Sequence, residues 1–81
     1  MDDSVLDRLA TVIRATLDQP AVTIGPDTTA DDVDGWDSLT HAVLLMRIER
    51  AFAIRFDPAE AMSPATVGEL AALISRRLAE G

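Results

Sequence analysis

The sequence predicts a small all-α bundle: three main helices, one short helix, and a long ordered loop between the first two. Three observations predict it. Apolar residues recur at spacings of three and four over three separate stretches, which is the helical period. Ile54-Arg55-Phe56, the extended-looking run, is too short to anchor a sheet. With 81 residues, 48% hydrophobic content and no cysteine, the chain must close an apolar core without disulfides or thiolate metal sites. We read residues 1–81 as one domain.

The first helix is expected over Ser4 to Leu17, where Val5, Leu6, Leu9, Val12, Ile13 and Leu17 share one face. Asp3 or Ser4 caps its start, Asp2, Asp3 and Asp7 suit the positive end of the dipole, and Gln19-Pro20 stops it. From Asp18 to Asp37 no period persists, and Pro20, Gly25, Pro26 and Gly35 mark turns. A connection this long is uncommon without a function. Val22, Ile24, Val33 and Trp36 can pin it to a core, and Thr29 followed by Asp32 matches the start of a single helical turn.

The second helix is expected from Ser38 to about Phe52, with Asp37 as N-cap. Its run Ala42 to Met46 is apolar almost all round, which predicts neighbours on more than one side. Asp57-Pro58 opens a short third helix reaching Met62, since Pro is favoured just inside a helix start. Ser63-Pro64 restarts the chain. Thr66-Val67-Gly68-Glu69 then reads as a capping box before Leu70, Leu73, Ile74 and Leu78, with Arg76 and Arg77 near the negative end of a helix running to about Ala79.

Charge narrows the function. Fourteen acids against seven Arg give a net charge of −7, which repels nucleic acid and anionic membrane surfaces and favours a basic protein partner. No apolar run approaches the roughly 18 residues of a membrane span, and Met1-Asp2-Asp3 lacks a secretory signal's positive start. A cytoplasmic protein is expected. The acidity is concentrated: residues 18–37 hold six Asp and no base, whereas 1–17 hold three acids and two Arg, and 38–81 hold five of each. It therefore gathers ahead of Ser38. A hydroxyl in the first turn of a helix sits where free N–H groups and the dipole favour an attached phosphate, although Asp and Ser are also ordinary helix starters.

Gly35-Trp36-Asp37-Ser38-Leu39-Thr40-His41, behind an acidic loop and followed by Ile48-Glu49-Arg50-Ala51-Phe52-Ala53-Ile54, resembles an acyl carrier protein of the freestanding kind. The Asp-Ser-Leu signature is intact, and the likeness extends over nearly the whole chain in loop length, helix order and size. The resemblance implies that a phosphopantetheinyl transferase moves 4'-phosphopantetheine from coenzyme A to the Ser38 hydroxyl. Acyl chains then ride as thioesters between acyl-loading and acyl-processing enzymes. It further implies partner contacts at Asp37, Leu39, Met46 and Arg47; Asp37 caps the helix, and capping alone accounts for it unless it also lies near the transferase's Mg²⁺ during modification. Met46 and Leu39 also suit a core, and Arg47 an ordinary solvated face.

No catalytic residue, resident metal site or nucleic-acid partner is expected, and a monomer is the simplest state. Val43, Ile48, Phe56, Met62, Val67 and Leu70 are candidates to shelter a bound chain or to form plain core. Carriers of primary fatty-acid synthesis have an acid-rich central helix. Here Glu49 is its only acid, so electrostatic steering must lean on Asp31, Asp32, Asp34 and Asp37. Trp36 packs the loop over the first helix or covers the base of the arm, and His41, three residues after Ser38, can approach Ser38 on one helix face.

Four other functions compete with this one. A serine hydrolase fails for want of a G-x-S-x-G elbow and a large enough scaffold. An EF-hand fails on spacing, because counting from Asp32 puts Trp36 at the fifth position and Asp37 where Gly is needed. A helical interaction module without prosthetic group explains the composition but not the intact motif at a helix start. An aminoacyl or peptidyl carrier shares the arm chemistry, but it usually has two glycines ahead of the residue preceding the serine.

Overall fold

The computed structural model describes residues 3–61 and 64–80. It contains helix α1 (Asp3–Leu17), a 3₁₀ turn (Ala30–Asp32), α2 (Ser38–Phe52), a short α3 (Pro58–Ala61) and α4 (Val67–Glu80). No strand occurs among the described residues. Helix α1 packs against both α2 and α4. Its Val5, Leu9, Ile13 and Leu17 meet Leu44, Ile48 and Phe52 of α2 and Val67, Leu70, Ala71 and Ile74 of α4 in one core. Each fully buried Leu or Ile contributes on the order of 2 kcal/mol.

Helix α1 starts at Asp3, so neither Asp3 nor Ser4 is its cap, and the residue before it lies outside the described region. Its other end is closed by Asp18 in the left-handed region (φ 54°), which lets the Gln19 N–H reach the Arg14 carbonyl at 2.9 Å. The stop is thus made two residues before Pro20.

The long loop is ordered by the residues expected to pin it. Val33 is buried, while Val22, Ile24 and Trp36 pack on the core. The 3₁₀ turn follows Thr29, whose N–H donates to Asp32 Oδ2 at 2.9 Å. Arg14 Nε donates to the Val22 carbonyl at 2.8 Å. The N–H groups of Val67 and Gly68 donate to the Thr28 and Pro26 carbonyls, each at 2.8 Å, so the loop satisfies the opening donors of α4.

Helix α2 spans the expected residues, but its apolar girdle is not covered all round. Leu44 is fully buried, whereas Ala42, Val43 and Met46 face outward. Helix α1 is its main neighbour and the loop, α3 and the segment after α2 meet it at His41 and Glu49, but nothing among the described residues covers the face of Ala42, Val43 and Met46. The last α2 carbonyls are held by Arg8, whose Nη2 donates to Ala51 O at 2.7 Å while its guanidinium lies 4.3 Å over the Phe52 ring. At α4 the expected capping box is displaced by one residue. Glu69 N–H donates to Thr66 Oγ1 at 3.2 Å, but the Glu69 carboxylate accepts from the Ala65 N–H at 3.2 Å. Met62 and Ser63 lie outside the described residues.

Candidate functional site

The start of α2 is built by Asp37. Its backbone is extended (φ −116°, ψ −174°), and its Oδ1 accepts the Thr40 N–H at 2.8 Å. That backbone N–H, then the Thr40 side chain, hold the Asp37 carboxyl below its ordinary value. A charged cap is therefore maintained at the positive end of the helix. Ser38, the next residue, is exposed in the first turn. It borders a shallow depression of about 250 Å³ lined by Ala30, Trp36, Asp37, Ser38 and His41.

The wall of that depression is a hydrogen-bonded bridge. Trp36 Nε1–H donates to His41 Nδ1 at 3.1 Å, and the rings stack with centroids 6.1 Å apart and an interplanar angle of 22°. Indole N–H can only donate, so Nδ1 must be the acceptor and the proton resides on Nε2. Nε2 lies 3.3 Å from the Ala61 carbonyl and donates to it. His41 thus links the loop, α2 and α3. It lies at the edge of the Ser38 depression, but its two nitrogens are committed to Trp36 and Ala61 rather than to Ser38. Trp36 is partly buried against the core, and its contacts run to His41 of α2 and to the edge of the Ser38 depression. Behind it lies a pocket of about 40 Å³ that reaches Val67 and Leu70.

The other predicted residues separate by exposure. Leu39 is 77% and Met46 60% exposed, so neither is core, and Arg47 is also exposed. Ile48, Val67 and Leu70 are plain core, Phe56 is half-buried and Val43 is 38% exposed. The sequence reading missed Arg50, which is exposed in register with Leu39, Val43 and Met46. The signal was the i, i+4, i+7 and i+11 spacing from Leu39, which does not by itself distinguish a buried stripe from an exposed one.

With this geometry in place, comparison with known proteins is decisive. Residues 7–74 match the family model described as "Phosphopantetheine attachment site". The chain is 34% identical over 76 residues to Acyl carrier protein 3 of Ralstonia nicotianae, covering 94% of this chain and 87% of that protein.

The chain belongs to the acyl carrier protein family.

The solution NMR structure of a holo acyl carrier protein from Geobacter metallireducens superposes with a TM-score of 0.87 at 34% identity, again over 94% of this chain and 87% of that one. The prosthetic group of this acyl carrier protein is a covalent phosphopantetheine. The start of α2 fits such a group: an exposed hydroxyl, first-turn amides and the positive helix end favour a phosphodiester, and a depression lies alongside. Among the described residues, no group of three or more His, Asp or Glu is placed to hold a metal, and no helix is long and apolar enough to cross a membrane.

Proposed function

We propose that Ser38 is the attachment residue and that the protein shuttles acyl chains between partner enzymes without catalysing a reaction itself. What supports the reading is the exposed Ser38 hydroxyl in the first turn of an Asp37-capped helix, inside the Asp-Ser-Leu motif of the matched family region. When attached, the group supplies a terminal thiol that this cysteine-free chain lacks, and that thiol holds cargo as a thioester. The residues of the chain do the rest. Asp37 fixes the helix start and so the direction of Ser38 Oγ. Trp36 and His41 keep the loop closed beside it. Leu39, Met46, Arg47 and Asp37 offer the surface on which a phosphopantetheinyl transferase and the loading and processing enzymes dock.

We propose a single carrier domain working as a cytoplasmic monomer, consistent with a net charge of −7 that repels anionic membrane surfaces. An α2 with Glu49 as its single acid, unlike the acid-rich central helix of carriers of primary fatty-acid synthesis, favours a dedicated or secondary acyl pathway.

The test is intact-protein mass before and after incubation with coenzyme A, Mg²⁺ and a promiscuous phosphopantetheinyl transferase. Wild type is expected to gain one phosphopantetheine and Ser38→Ala none. Loading of the alanine variant would move the site elsewhere.

A further inference from the structure

Four large hydrophobic residues are exposed among the described residues, and three of them, Leu39, Val43 and Met46, lie on one face of α2. Ala42 is exposed beside them, and Arg47 and Arg50 are exposed at the far end. Ser38 and Arg50 are separated by about 18 Å along the axis. The single acid of α2 does not offset these two cations on that face. Glu49 is half-buried, and its Oε2 accepts the Phe56 N–H at 2.9 Å, which commits the carboxylate to the chain leaving α2. At the opposite end Asp37 caps the helix, and Asp31, Asp32 and Asp34 are exposed in the loop that leads into it. The face therefore has an apolar middle, a negative end beside Ser38 and a positive end at Arg47 and Arg50.

Resting on the carrier reading, we propose that this face docks a partner segment of opposite polarity: an apolar strip with basic groups at the end facing Ser38 and carboxylates at the end facing Arg47 and Arg50. Charge complementarity selects that occupant and its direction. A wholly basic partner surface, matched to the loop alone, would place like charges against both Arg. A second copy laid antiparallel would also satisfy the charges, and it is told apart from a partner segment by α2 shifts that track protein concentration without one. The polarity also sets the angle at which an enzyme approaches the arm, because reversing the segment puts Lys or Arg against Arg47 and Asp or Glu against Asp37.

The experiment uses the ¹⁵N-labelled protein, both unmodified and after incubation with transferase and coenzyme A, and a synthetic amphipathic helical peptide with a Leu strip, lysines at one end and glutamates at the other. A nitroxide is placed at either end in turn. The glutamate-end label is expected to broaden the Arg47 and Arg50 amides, and the lysine-end label those of Asp34 and Asp37. Arg47→Glu with Arg50→Glu, at exposed positions and checked for fold by circular dichroism, is expected to weaken binding about five-fold and scramble the orientation. The paired Lys substitutions are expected to retain it.

Reversed or unpreferred orientation would overturn the proposal. So would unchanged affinity in the double Glu variant, no perturbation of the α2 face, or α2 shifts that track protein concentration without peptide. Ser38 loading is read separately by mass, so failure of the carrier reading leaves a distinct signature: no added group with the docking polarity intact.

Discussion

Gly68→Ala sets two effects of opposite sign against each other. Alanine in a helix is favoured over glycine by about 0.5–1 kcal/mol, so propensity alone predicts a more stable protein. The loop contradicts it. A Cβ on residue 68 would stand 2.8 Å from the Pro26 carbonyl oxygen, 3.1 Å from its Cβ and 3.3 Å from its Cα. Two of these atoms are backbone, and that carbonyl accepts the Gly68 N–H at 2.8 Å while Thr28 O accepts from Val67 at 2.8 Å. Relief requires the loop to move off α4, with an overpacking cost of about 1–3 kcal/mol and weakening of two hydrogen bonds of about 1 kcal/mol each. The net expectation is a loss of about 2 kcal/mol, or roughly 8–16 °C in Tm for a domain of this size. Urea unfolding of the variant measures it. Ala72→Gly, at an exposed position of the same helix, calibrates propensity without the clash. A Gly68→Ala protein as stable as wild type, or more so, would refute the close approach of loop and helix.

Ser38→Ala removes an exposed hydroxyl and is expected to change stability by less than about 0.5 kcal/mol in urea unfolding, separating loss of loading from loss of fold. Asp37 has a folded pKa lowered from 3.8, so the stability it contributes is present above the unfolded value and lost as pH falls through the folded one. Asp37→Ala is therefore expected to be less stable than wild type at neutral pH, with the gap narrowing on acidification below 3.8, as followed by unfolding at stepped pH. Imidazole ¹⁵N shifts are expected to report His41 protonated on Nε2 with Nδ1 bare, and the opposite tautomer would dissolve the Trp36–His41 bond. Raising salt is expected to slow loading by a transferase, because Asp31, Asp32, Asp34 and Asp37 are exposed and screened; a salt-independent rate would assign docking to apolar contact.

Local chemistry alone determined much of this protein. The Leu9–Ile13–Leu17 spacing, the Asp37 cap, the Thr29–Asp32 turn and Pro58 after Asp57 are signals within a few residues of what they specify, and each element formed where they placed it. The intact Asp-Ser-Leu motif pointed to the family that the comparisons show.

Tertiary structure decided what local signals leave degenerate. An apolar residue at helical spacing carries no label for the side its neighbour will take. Only the placement of α1 turned Leu44 and Ile48 inward and left Leu39, Val43 and Met46 in solvent. Side chains with several possible partners were likewise settled by what the fold brought within 3.5 Å: His41 to Trp36 and Ala61, Glu49 to Phe56, Arg8 to Ala51. Those pairs lie 5 to 43 residues apart, and no periodicity encodes such contacts, because they form only when the core closes and the chain brings distant groups together.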